Sequence, residues 1–124
     1  YSPSYISFET ALNFHGLLSQ FPMETTSATL GKKVEKQVNE QLFTYSQIDK
    51  KLYTGYYKES GYLMAVKEKA LFDELYLISK SIKSEKVLEE LDLSLVDRGL
   101  LAEYLRLLPK AKSKTIFDIL EKYL

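Results

Sequence analysis

Cysteine is absent from the 124 residues of this chain. Its absence excludes thiolate catalysis, cysteine-based zinc sites and disulfide bonds, and it suits a reducing compartment, so we expect a cytoplasmic protein. No apolar run approaches the roughly 20 residues of a membrane span. No basic segment followed by an apolar one marks a signal peptide. We therefore expect no membrane partner. The chain starts with Tyr1 rather than Met, and we expect a domain excised from a longer protein.

An excess of charge of one sign is also absent, because 17 Lys and Arg residues balance 17 Asp and Glu residues. Dedicated nucleic-acid binders usually carry a clear positive excess, so this domain by itself is expected to bind DNA weakly. The C-terminal end is locally basic: from Arg98 onward, six basic residues stand against three acidic ones, Glu103, Asp118 and Glu121. This end could favour an acidic surface, or it could be a solvated helical rim.

Motifs that carry catalysis or bind cofactors are missing. His15 is the only histidine, and no nucleophile motif accompanies it, so we predict a partly buried residue that forms a local hydrogen bond. The five glycines form no phosphate-binding loop. The carboxylates of Asp73 and Glu74, and those of 89–92, are interpreted as solvated faces. We therefore predict no catalytic residue, no metal site and no cofactor.

What is present is an ordinary globular composition, with 45% hydrophobic and 27% charged residues, which fits one domain over residues 1–124. Ser7 can cap a helix over 8–18 that Pro22 prevents from continuing. Short β-prone runs follow at 23–30, 34–38, 42–48, 53–57 and 62–66, with turns at Asn39-Glu40 and Ser60-Gly61 between them. This spacing predicts an antiparallel meander of about four to five strands.

From Lys67 onward the hydrophobic period becomes helical, with an apolar face over residues 71, 75, 78 and 82. Ser84 can cap a short helix over 85–91. Ser94 and Asp97 resemble a capping box for the next helix, and Ser113 can cap the last one, after a flexible joint over 110–114. The fold class is thus α+β: an N-terminal helix, a small antiparallel sheet, then about four C-terminal helices.

Ten tyrosines are unusual for this length, and several are interleaved with lysine in the expected sheet. Such interleaving can bind single-stranded nucleic acid by stacking and charge, can form a protein interface, or can be cross-strand packing that stabilises a small sheet. The candidate interaction surface comprises Lys32, Lys33, Lys36, Tyr45, Tyr53, Tyr56, Tyr57, Lys58, Arg106, Lys110, Lys112 and Lys114.

Four stretches, in order, resemble the AbiEi family of abortive-infection antitoxins and transcriptional regulators. They are residues 5–17 (YISFETALNFHGL), 24–29 (ETTSAT), 43–45 (FTY) with 55–56 (GY), and 65–77 (AVKEKALFDELYL). The chain departs from the family pattern in having Lys67 where the family has proline. It also lacks a glycine turn at residues 39–41, and it has lysines at 32, 33 and 36 where the family often has arginines.

The resemblance implies the C-terminal domain of a two-part regulator whose N-terminal winged helix reads DNA. This domain would counter a nucleotidyltransferase-like toxin, possessing no catalytic activity itself, and would support cooperative binding of operator DNA by the full-length protein. An alternative is a nucleic-acid-binding accessory domain that uses the Tyr/Lys-rich sheet and the basic C-terminal helices. An enzyme centred on His15 or a carboxylate is a third hypothesis, which the missing catalytic constellation disfavours.

Overall fold

The computed structural model describes residues 1–124 and is α+β, as the sequence predicts. The chain contains six strands, four α-helices and three short 3-10 helices. The strands are β1 (Ser4–Ile6), β2 (Glu24–Thr29), β3 (Val34–Val38), β4 (Gln41–Gln47), β5 (Tyr56–Glu59) and β6 (Tyr62–Ala65). The α-helices are α1 (Phe8–Phe14), α2 (Lys67–Ser79), α3 (Arg98–Leu105) and α4 (Lys110–Glu121), and the 3-10 helices are Lys50–Leu52, Glu85–Glu90 and Leu93–Leu95. None of the helices is long and apolar enough to cross a membrane.

All six strands form one mixed sheet in the order β3-β4-β2-β1-β6-β5, which corrects the expected antiparallel meander. The sheet contains two parallel pairs, β2 with β4 and β1 with β6. The short strand β1, which the sequence pattern did not reveal, is central because it pairs with both β2 and β6. Strand β4 lies between β2 and β3. It forms an antiparallel hairpin with β3 and a parallel pair with β2.

Helix α2 is the centre of the domain. Every residue from Glu68 to Ile78 is buried, because α1, α3, α4 and the sheet surround the helix. The 23 buried hydrophobic residues form one cluster around it. No helix packs to a similar extent on β3 or β4, so this hairpin projects beyond the helical layer.

The register sorts strand side chains onto two faces. Tyr5 pairs with Ala28, which pairs with Ser46, and these residues share the face on which α2 packs, because the Tyr5 hydroxyl reaches Asp73 of α2. Ile6 pairs with Ser27, which pairs with Tyr45, so these lie on the opposite face, here called the outer face. The two faces of the β3–β4 hairpin therefore carry different sets of residues.

Several expected boundaries differ from the structure, and Ser7 makes no capping hydrogen bond with its side chain, because its hydroxyl donates to Asp73. Helix α1 ends at Phe14 rather than at residue 18. Gly16, just after this end, adopts a positive φ of 84°. The expected strand over 53–57 begins only at Tyr56, because Asp49 caps a 3-10 turn before it. Helix α2 ends at Ser79, which leaves Ile82 beyond the helix and exposed.

Two of the three expected caps of the C-terminal helices are wrong. Asp97, rather than Ser94, caps α3, and its carboxylate accepts a hydrogen bond from the backbone N–H of Leu100 at 3.1 Å. Ser113 lies inside α4 and donates to the Leu105 carbonyl at 2.7 Å, so residues 110–114 are helical and not a flexible joint. The cap at Ser84 is confirmed, since its hydroxyl accepts from the backbone N–H of Lys86.

Candidate functional site

A buried polar cluster joins β1 to α2. Lys69 and Asp73 are one helical turn apart on α2 and form an ion pair whose two side chains are 0% and 1% exposed. The Lys69 ammonium also donates to the Tyr5 hydroxyl at 2.7 Å. The other Asp73 oxygen accepts from Tyr5 at 2.8 Å and from Ser7 at 2.7 Å. These four residues are named the core network below.

Burial penalises the charged forms in this network. It raises the pKa of Asp73, and the positive charge of Lys69 and the hydroxyls of Ser7 and Tyr5 oppose the rise. Burial lowers the pKa of Lys69, and Asp73 opposes that change. Burial and the nearby Asp73 charge also raise the pKa of Tyr5, so its phenol remains a hydrogen-bond donor. Because each polar atom has a partner and none reaches solvent, the network ties the sheet to the central helix.

Aromatic rings and one glycine enclose the network. The Tyr5 ring stacks on Tyr56 with centroids 4.8 Å apart and meets the edge of Tyr53 at 5.1 Å. Gly55 has a positive φ of 79°, and a Cβ atom there would lie 2.6 Å from Cγ of Lys69. Glycine is therefore required at residue 55 for both its conformation and its close contact.

The first and fourth of the stretches that resemble the AbiEi family supply all four residues of this network. The first supplies Tyr5 and Ser7, and the fourth supplies Lys69 and Asp73. The second stretch is β2, which pairs with β1. From the third, Gly55 and Tyr56 pack on Lys69 and Tyr5 respectively. Residues up to 68 positions apart thus form a single structural unit.

Asp73 and Glu74 do not form a solvated face, and that prediction is wrong: both are 0% exposed. Glu74 lies beside Glu9 of α1, and Lys83 bridges them at 3.2 Å and 2.5 Å respectively. Burial and the Glu9 charge raise the pKa of Glu74 to about 8, although Lys83 opposes the rise. The second carboxyl oxygen of Glu74 has no hydrogen-bond partner, and protonation would give it a hydrogen to donate. The carboxylates at 89, 90 and 92 are exposed, as predicted.

A third buried carboxylate, Glu68, connects two helices. Its side chain is 3% exposed, and it accepts a hydrogen bond from the backbone N–H of Asp97 at 2.8 Å. Lys67 is 3.1 Å from the same oxygen. Asp97 is the residue that caps α3, so Glu68 fixes the start of α3 against the start of α2.

His15 is partly buried, as predicted, but its hydrogen bond is not local. Its Nε2 atom lies 2.8 Å from the carbonyl oxygen of Ala65, 50 residues further along the chain. The ring is also 6.3 Å from that of Tyr57. No group of three or more His, Asp or Glu side chains is arranged to hold a metal ion.

The predicted surface tyrosines separate into two groups. Tyr53 and Tyr56 turn towards Tyr5 and pack against the core, so the sheet does not present them as a stacking platform. Tyr57 is half-buried on the outer face, beside His15. Lys58 is exposed on the edge strand β5. Tyr45 lies at the other end of the sheet, on the outer face of β4, far from these residues in strand order.

The outer face of the β3–β4 hairpin carries a cluster that the sequence did not reveal. Phe43 and Tyr45 are two residues apart on β4, and Lys36 is the cross-strand partner of Phe43. Tyr1 places its ring 5.1 Å from that of Tyr45, and the Lys36 ammonium lies 5.0 Å above the Tyr1 ring. These four residues are named the aromatic patch. Lys32 is adjacent through its backbone carbonyl, which accepts from the Tyr1 hydroxyl, whereas Lys33 lines a cavity on the helix side of the sheet.

The C-terminal helices form an apolar cleft of about 130 Å³ between α3 and α4. Its wall includes Leu101 and Leu105 of α3 and Leu120 of α4, and Phe117 and Leu124 contribute rings and methyl groups that are 44% and 51% exposed. Four basic residues of the predicted interaction surface lie on α4 and at the end of α3: Arg106, Lys110, Lys112 and Lys114. All are exposed except Lys112, which is half-buried, and Lys114 pairs with Asp118 at 3.2 Å.

Comparisons with family models, with curated proteins and with solved structures give no match to this chain.

Proposed function

We propose that this chain is the regulatory domain of an AbiEi-type antitoxin and transcriptional autoregulator. The observation that supports the proposal is the meeting of the first and fourth resembling stretches at one buried network, on which Gly55 and Tyr56 of the third stretch pack. The domain would act in the cytoplasm, counter a nucleotidyltransferase-like toxin and support cooperative operator binding by the longer protein.

A binding role rather than a catalytic one suits the placement of the reactive side chains. Lys69, Asp73 and Glu74 are sealed from solvent, where no substrate reaches them. The exposed features are those of recognition surfaces: an apolar cleft with half-exposed Phe117, and a group of basic side chains on the same two helices. Apolar surface provides binding free energy for a protein partner, and basic side chains provide attraction to phosphates or acidic surfaces.

Growth rescue tests the proposal. The chain is expressed beside the nucleotidyltransferase-like toxin encoded next to it, and cell growth is compared with that in cells carrying the toxin alone and in cells carrying the full-length protein. Rescue by this chain would support antitoxicity within its 124 residues. If the full-length protein also fails to rescue, the proposal is wrong. If only the full-length protein rescues, the domain lacks antitoxicity, and its role is limited to operator binding.

Charge-reversal variants would then identify the surface involved. Arg106→Glu combined with Lys110→Glu reverses two exposed cations, one at the end of α3 and one at the start of α4. We expect this pair to weaken rescue or operator binding without unfolding the domain. Lys58→Glu combined with Lys51→Glu is the matched control, because it also reverses two exposed cations, and these lie on β5 and in the 3-10 helix before it rather than on α3 or α4. Equal loss in both variants would argue against the C-terminal helices.

A nucleic-acid-binding accessory domain is the second candidate, and one observation favours it. Opposite charges on β3 are sorted onto opposite faces: Lys36 lies with Phe43 on the outer face, and Glu35 lies with Thr44 on the other. The outer face of the hairpin therefore combines a cation with aromatic rings. This candidate predicts binding that weakens as salt is raised. Binding that is absent for both DNA and RNA would exclude it.

A further inference from the structure

We propose that the aromatic patch on the β3–β4 hairpin binds single-stranded nucleic acid, with bases stacked on its rings and a phosphate held by Lys36. The inference rests on the second candidate function and gives it a location and a ligand class. It does not depend on the antitoxin proposal. The patch takes the stacking role that the sequence predicts for Tyr53 and Tyr56, because those two residues pack against the core.

The spacing of the rings suits consecutive bases. Phe43 and Tyr45 point to the same side of β4, so their Cα atoms are separated by about 7 Å, twice the rise per residue of a strand. Successive aromatic side chains on an open sheet form the stacking platforms of proteins that bind single strands with little sequence preference. Tyr1 extends the platform, since its ring touches that of Tyr45 and is 43% exposed.

Charge complementarity also favours a polyanion. Lys36 and Lys32 make no ion pair with any carboxylate of the chain, so their charges remain available. The acidic residues of β2 and β3, Glu24 and Glu35, lie on the helix side of the sheet. The other outer-face positions on β2, β3 and β4 are uncharged: Thr25, Ser27, Thr29, Val34, Val38, Gln41 and Gln47.

The patch is also accessible and partly ordered before any ligand arrives. No helix packs on β3 or β4 to a significant extent, Lys36 is exposed, and Phe43 and Tyr45 are half-buried. The ammonium of Lys36 is already held over the Tyr1 ring at 5.0 Å, in the geometry of a cation–π contact. A duplex hides the faces of its bases, so a stacking surface with few cations favours single strands over double strands.

Fluorescence anisotropy with labelled 12-nucleotide oligo(dT) and oligo(rU) tests this proposal directly. We expect saturable binding that weakens when salt is raised from 50 to 200 mM, and weaker binding of a duplex of the same length. Tyr45→Ala and Phe43→Ala should each reduce affinity by about 5- to 150-fold, the loss expected for one stacked base. Lys36 is exposed, so the Lys36→Glu variant should fold normally, and its affinity should also be reduced.

Controls separate the patch from general charge effects. Lys58→Glu changes the net charge as much as Lys36→Glu but lies on the opposite edge strand. Equal losses in these two variants, or a duplex bound as tightly as the single strand, would overturn the proposal. Binding that survives Tyr45→Ala but is lost in Arg106→Glu with Lys110→Glu would reject the patch and keep the second candidate function. Absence of any binding at 50 mM salt would reject both.

Discussion

Replacing Lys69 with methionine should destabilise the domain strongly. The substitution keeps much of the apolar stem but leaves the Asp73 carboxylate buried, with only the Tyr5 and Ser7 hydroxyls as partners. Removing one partner of a buried ion pair costs about 3–5 kcal/mol in free energy of unfolding. A domain of this size is stable by only about 5–15 kcal/mol, so the loss is a large fraction of the total. The melting temperature should fall by roughly 10–20 °C.

The loss should also depend on pH, with a sign that follows from Asp73. Without Lys69 the pKa of Asp73 rises further above its ordinary value, because burial is then less opposed. A folded-state pKa that is raised stabilises the fold below the unfolded pKa, and that stabilisation is lost as pH rises through the folded value. The free energy of unfolding that Lys69→Met loses relative to the unsubstituted chain should therefore be larger at pH 8 than at pH 5.

Urea unfolding followed by circular dichroism measures these quantities. A double-mutant cycle with Asp73→Asn isolates the ion pair, because the asparagine carbonyl can still accept from Tyr5 and Ser7. We expect the double variant to be more stable than the sum of the single losses predicts, by about 2 kcal/mol or more. A loss below about 1 kcal/mol for Lys69→Met, with no dependence on pH, would refute the assignment of a buried ion pair.

Three further predictions test other buried or capping positions. Glu74→Gln should flatten the fall in stability between about pH 5 and pH 8. The pKa of Glu74 is raised to about 8, so the unsubstituted fold loses stability as pH rises towards that value. Parallel plots of unfolding free energy against pH for the two chains would contradict this. Gly55→Ala should lower the free energy of unfolding by about 2 kcal/mol or more, because of overpacking against Lys69 and a positive φ. The control Gly61→Ala, at φ 90° with open space around it, should cost only about 1 kcal/mol of backbone strain. Equal losses in thermal melts would show that contact with Lys69 contributes nothing. Asp97→Ala should cost about 1 kcal/mol by removing the α3 cap, whereas Ser94→Ala should cost less, and urea midpoints in the reverse order would show that the cap is misassigned.

The sequence predicts the local elements well, because each is determined by residues close together in the chain. The strands predicted at 34–38 and 42–48 lie at 34–38 and 41–47, and the turn at Asn39 and the start of α2 at Lys67 follow from turn chemistry and helical period. The strand order does not follow from such signals. Strand β1 has three residues and therefore no readable alternation, and the parallel pairing of β2 with β4 depends on where β3 folds back.

The candidate sites illustrate the same division. The sequence predicts Lys36 and Tyr45 as surface residues, and they do lie together on the outer face. Tyr1 and Phe43 join them only through strand register and the fold of the N-terminal residues. Interleaved aromatic and basic residues do not reveal which face a side chain occupies. A shift of one residue in register moves it to the other face of the sheet.

What the sequence by itself determined is the class of protein: an α+β domain without cysteine chemistry, with a strand-rich first half and a helical second half. What only the tertiary structure decided is the environment of its charges. Helical period predicts that charged residues face solvent, yet α2 is enclosed on all sides, and Lys69, Asp73 and Glu74 are therefore buried. Burial is a property of the elements packed around a helix, and those elements come from distant parts of the chain.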